Sequence, residues 1–162
     1  MKHMTATWVK GWVESTEGGS SMSHWKQQTR EGNRLFDCGE YHQALAHYQQ
    51  ALWLARQQLV QWHDADEAVA ALVVAHHNLA DLLVAMTLPD RAADLLCYVH
   101  DCLLATCHSP ACSSRLREAA LRHTRTTRAE LLTFVQRHGS HAGIMRSLGH
   151  CLCQSEPSSR LH

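Results

Sequence analysis

The stretch Glu31–Leu54, EGNRLFDCGEYHQALAHYQQALWL, constrains the fold of this chain more than any other. Gly32, Ala44 and Ala51 are small residues placed where two helices would have to touch. Leu35, Tyr41, Leu45, Tyr48 and Leu52 stand at helical spacing and fill the gaps between them. Gly39 is the stop signal, because glycine takes the left-handed C-terminal cap without steric cost. The pattern predicts an antiparallel hairpin. Its first helix runs from about Ser23, as N-cap, to Cys38, and its second from about Tyr41 to Trp62, ~30 Å at 1.5 Å per residue.

Gly32, Leu35, Gly39, Tyr41, Ala44, Tyr48 and Ala51 together resemble a tetratricopeptide repeat (TPR), over about one repeat. The resemblance implies a right-handed stack of antiparallel helix pairs whose concave face binds other proteins as peptides or helices, and it implies no catalysis. Downstream the pattern recurs in weaker form. Ala80 and Leu83 stand for Gly32 and Leu35, and the turn Thr87-Leu88-Pro89-Asp90 replaces Cys38-Gly39-Glu40-Tyr41, with Pro89 pre-set for a first helical turn. Ala92, Leu96 and Val99 then stand for Ala44, Tyr48 and Ala51. The interval exceeds the usual ~34-residue repeat, so the chain resembles the long-helix members of the superfamily.

The expected fold is therefore all-α, a TPR-like stack of five or six helices. The first pair spans about 23–62 and the second about 66–108, with aspartates in His63-Asp64-Ala65-Asp66 able to cap a new helix. A capping helix or pair covers 110–153. Ser109-Pro110 reads as the start of a fifth helix, from about Ala111 to Gln136 and ended by Gly139. Two readings of the end stand. In one, Leu132 and Val135 form the crossing edge of a third pair and Ile144, Leu148 and Cys151 the packing edge of a sixth helix. In the other, a single helix caps the stack, which needs an atypical end.

With 162 residues the chain is expected to form one domain, over 22–154. Residues 1–21 read as a disordered leader and 155–162 as a disordered tail. For the leader two alternatives remain: translation starts at Met22, or Trp8, Val9, Trp12 and Val13 form an amphipathic turn that docks on the body or a partner. The 15 basic and 15 acidic residues balance, which leaves no net positive field for nucleic acid. Seven cysteines without disulfide-framework spacing point to a reducing compartment, the cytoplasm. No run has the length of a signal peptide or a membrane span, so no membrane partner is expected. The 14 histidines are the compositional oddity and would add positive charge as pH falls through about 6.5.

Several constellations invite chemistry. Cys97, His100, Cys102, Cys107, His108 and Cys112 have the ligand types for zinc or copper, but five-residue steps turn the cysteines around a helix instead of gathering them. Small buried cysteines are the plainer account, and the same holds for His150-Cys151-Leu152-Cys153. No metal site and no cofactor are assigned. His76-His77 has no nucleophile or carboxylate beside it in sequence, and the chain is read as a non-enzyme. Arg115, Arg117, Arg122, Arg125 and Arg128 form either an anion-holding face or the solvated side of an amphipathic helix.

In the resembling family the first helix of each pair lines the concave face. That selects Arg30, Asn33 and Asp37 from the first helix and His77, Asn78, Asp81 and Val84 from the third. Asn33 and Asn78 can bond an extended backbone through both donor and acceptor. They also match two positions of a carboxylate clamp, but Thr29 stands where a lysine is expected, so that specificity is not carried over. The expected function is binding a partner's peptide or helix, as adaptor, co-chaperone or secretion-type chaperone, by a monomer or homodimer. The alternatives are a structural homo-oligomer paired through its long helices and a metal or redox protein using the Cys/His segment.

Overall fold

A computed structural model describes residues 20–153; the leader and tail expectations lie outside them, as do the side chains of Cys151 and Cys153. The described chain is all-α: α1 Ser20–Asp37, α2 Tyr41–Gln61, α3 Ala65–Ala85, α4 Pro89–His108, α5 Ser114–His138 and α6 Ala142–Cys153. Consecutive helices pack on each other through α1 to α5, and α1, α3 and α5 are neighbours in that order.

The α1–α2 crossing is as close as its small residues allow. Ala44 and Ala51 are fully buried, and a Cβ on Gly32 would come within 2.6 Å of the Tyr48 ring. Tyr48 donates from its hydroxyl to Asn33 Oδ1 at 2.8 Å, which fixes the ring over the glycine. The equivalent interval in sequence separates Gly32 from Ala80, Gly39 from Thr87 and Tyr48 from Leu96, and Ala80, Ala92, Leu96 and Val99 are all buried in the second pair.

Both pairs turn through the same hydrogen bonds. After α1, Gly39 N–H bonds Phe36 O and Glu40 N–H bonds Leu35 O; after α3, Thr87 N–H bonds Val84 O and Leu88 N–H bonds Leu83 O. This motif requires a left-handed residue, supplied by Gly39 at φ 79° and by Thr87 at φ 63°.

α3 is the central rod, buried on every side from Ala68 to Ala80. By length and composition alone it could cross a membrane, but 83% of its apolar window is covered inside the fold. Asp64 caps it, accepting from the backbone N–H of Asp66 and Glu67. Lys26 of α1 pairs with Glu67 at 3.4 Å, and Glu67 also accepts from Trp62 Nε1, so one carboxylate ties α1, the α2 end and α3 together.

Two expectations near the C-terminal part are corrected. Ser109 caps the end of α4, and the cap of α5 is Ser113, whose Oγ accepts from Leu116 N–H. Ser109-Pro110 is a turn, because Cys112 N–H closes back on Ser109 O. Gly139 has φ 88° and ψ 179°, outside the left-handed helical region, and the register inferred from it shifts. The buried edge of α5 is Thr127, Leu131 and Phe134, while Leu132 is exposed. α6 buries Ile144 and Leu148 and rests more on α4 than on α5. It covers a second apolar cluster made of Ala80, Ala92, Leu96, Leu131 and Phe134.

Candidate functional site

The C-terminal turns of α3 and α5 diverge over α4 and leave a cavity of about 620 Å³. From α3 it is lined by Ala80, Asp81, Val84 and Ala85, which share a face at helical spacing. α5 gives Glu130, Thr133, Phe134, Arg137 and His138, and Leu96 of α4 forms part of the floor. The floor is apolar and the walls are charged, a composition suited to holding an apolar side chain while polar groups set its orientation.

Asp81 links this cavity to the first pair. Its charge reaches the Tyr48 hydroxyl, whose pKa is raised by burial first and then by Asp81 and Asp37. The same charge reaches Glu130, whose carboxyl is pushed up by burial and then by Asp81, against the pull of Arg137. Asp37, Asp81 and Glu130 thus place one acid on each of α1, α3 and α5.

The residues expected to line a groove have three fates. Asp81 and Val84 lie in the cavity wall. Arg30 and Asp37 are exposed on α1, and half-buried Asn33 is engaged by Tyr48. His77 and Asn78 are buried, 3% and 8% exposed, because α3 has neighbours all round; in this packing neither offers a partner an open surface. The opposite wall, Glu130 to His138, was missed. The signal was present: the rule that selected α1 and α3 also selects α5, whose Glu130, Thr133, Phe134 and Arg137 recur at i, i+3, i+4 and i+7.

Three histidines of the second pair, His76, His77 and His100, are interior groups, while His108 at the end of α4 is exposed. His76 donates from Nδ1 to Leu72 O at 2.8 Å and its ring stacks on Tyr98; its Nε2 has no partner among the described residues. Among the described residues His77 has no partner at either nitrogen. Burial lowers their pKa values to about 4 and about 3. His100 donates from Nδ1 to Thr127 Oγ1, which in turn donates to Thr124 O, and burial lowers its pKa as well.

Among the described residues no three His, Cys, Asp or Glu side chains gather to hold a metal ion, and Cys97, Cys102, Cys107 and Cys112 are free thiols. Arg115, Arg117, Arg122, Arg125 and Arg128 of α5 are exposed; Arg122 donates from Nε and Nη2 to Asp66 Oδ1, pinning α5 to the start of α3.

A family model described as Protein of unknown function (DUF2753) matches residues 23–161. The chain belongs to this family. No curated protein and no solved structure matches it. The membership carries no activity with it, so any functional reading rests on the cavity and its walls.

Proposed function

We propose that this member of the DUF2753 family is a TPR-like protein-binding module of the adaptor or chaperone kind. Its helix pairs receive a peptide or helix of a partner in the groove that opens between α3 and α5. One observation carries the reading: a cavity of about 620 Å³ with an apolar floor and charged walls, lined by α3 and α5 with Leu96 of α4. The repeated small-residue crossings and the shared turn motif support the TPR-like stacking, and the free thiols are in keeping with a reducing compartment such as the cytoplasm.

Blocking the cavity tests this. Peptides selected from a random display library on the full chain should lose binding to Ala85→Trp, a variant whose circular dichroism must match wild type. Ala85 is half-buried at the end of α3, so the indole would fill the cavity without entering the α3 core. Peptides that bind both proteins equally would remove the groove from consideration.

A further inference from the structure

Glu130 is a carboxylate of the cavity wall to which the described residues supply no partner. It is half-buried on the α5 wall and makes no hydrogen bond or ion pair among the described residues. Two charged groups face it. Asp81 lies opposite on α3 and opposes its ionisation, while Arg137 lies two turns along α5 and favours it without reaching ion-pair distance. Arg137 and His138 are exposed at the rim, where water screens them. Glu130 is half-buried, where a charge interacts more strongly than at the rim. Val84, Leu96 and Phe134 complete the surroundings with apolar surface.

We infer that the groove selects a partner segment in which a lysine or arginine stands beside an apolar side chain on the same face, the cation meeting Glu130 and the apolar group resting on Phe134 and Leu96. This rests on the protein-binding reading above and gives that reading its chemistry. Charge complementarity sets the occupant: an acidic or phosphorylated segment would bring a third negative group beside Asp81 and Glu130, and like-charge juxtaposition is how wrong partners are refused. A neutral apolar segment would cover Glu130 without replacing its water, the costliest arrangement for a carboxylate.

The test uses the full chain as wild type, Glu130→Gln, Glu130→Lys and Ala85→Trp, with random display peptides as the probe and fluorescence anisotropy of the selected peptides as the readout. Wild type should enrich lysine or arginine next to an aliphatic or aromatic residue. Glu130→Gln, which keeps shape and removes charge, should weaken those peptides about tenfold or more, the range of a charged hydrogen bond. Glu130→Lys should shift selection toward acidic peptides. Binders that Ala85→Trp abolishes, but that lack basic enrichment or bind Glu130→Gln as well as wild type, overturn this inference and leave the groove standing. Binders indifferent to Ala85→Trp, or no binders at all, overturn both. Binding that appears only after residues 1–19 are removed would give the groove to the chain's own leader, with its Trp8, Lys10 and Trp12, and would overturn the assignment to a partner.

Discussion

The first helix pair and the second are two solutions to the same packing problem. In α1–α2 the crossing is made by glycine against a tyrosine ring, and the turn by a glycine that costs nothing in the left-handed region. In α3–α4 alanine faces leucine at the crossing, and threonine holds the left-handed turn under strain. The first pair keeps its histidines at or near the surface, His24 and His42 exposed and His47 half-buried against Gln28; the second encloses His76, His77 and His100. The backbone plan is conserved between the pairs by geometry while residue identity drifts. The drift loads the second pair with the costs.

Acid should expose that difference most. The folded pKa values of His76 and His77 lie below the 6.5 of a free imidazole, so the unfolded chain takes up the protons first. Their contribution is whole above pH 6.5 and is lost as pH falls toward about 4 and about 3, at roughly 3 kcal/mol per pH unit for the two together. Urea unfolding at about pH 7 and about pH 5 measures it, and His77→Leu should roughly halve the slope. Equal midpoints at both pH values would mean the rings charge without leaving the core.

Next in size is the tie between the pairs. Glu67→Ala removes an ion-pair partner of buried Lys26 and the acceptor of the Trp62 indole, and should cost about 3 kcal/mol in denaturant unfolding. A loss under 1 kcal/mol would show that Lys26 escapes to water, with little gained from the pair. The crossings should then differ in what they tolerate. Gly32→Ala drives a methyl into the Tyr48 ring at 2.6 Å and should cost about 2 kcal/mol by overpacking, whereas Ala80→Gly should cost about as much by the opposite route, losing helix propensity and a buried methyl. The smallest effect has the opposite sign: Thr87→Gly should stabilise by about 1 kcal/mol, and Gly39→Thr should cost at least as much. Thermal melts of the two variants check the pair, and a destabilised Thr87→Gly would show that the Thr87 hydroxyl, 2.6 Å from Met86 O, contributes more than the strain removes.

Much of the helical framework was legible because its signals are local. Gly39, the Asp64 cap and Pro89 each act within a few residues, and helix boundaries followed them closely. Ser109-Pro110 misled for the same reason: a serine followed by proline looks like a helix start wherever it stands, and here Ser113 does the capping. The face of α3 could be read only near its C-terminal end, where Asp81 and Val84 lie in the cavity wall. A helix covered on every side has no polar stripe, so His77 and Asn78 look outward in sequence and lie inside the fold, where the His77 ring nitrogens and Asn78 Nδ2 have no partner among the described residues. The α5 wall was hidden by its arginines, which drew attention to the exposed side of the helix and away from Glu130 and Phe134.

The enclosure of α3 also bears on how the chain is made. When synthesis has reached His108, one flank of that rod still lacks Ala119 and Ala120, which arrive only with α5 and close the same apolar cluster. Until then a mostly hydrophobic cylinder stands partly bare, the kind of intermediate that sticks to its neighbours. A version cut after the second pair should therefore collect in the insoluble fraction on expression, and the last third of the molecule works as a lid on the nascent core as much as a wall of the groove.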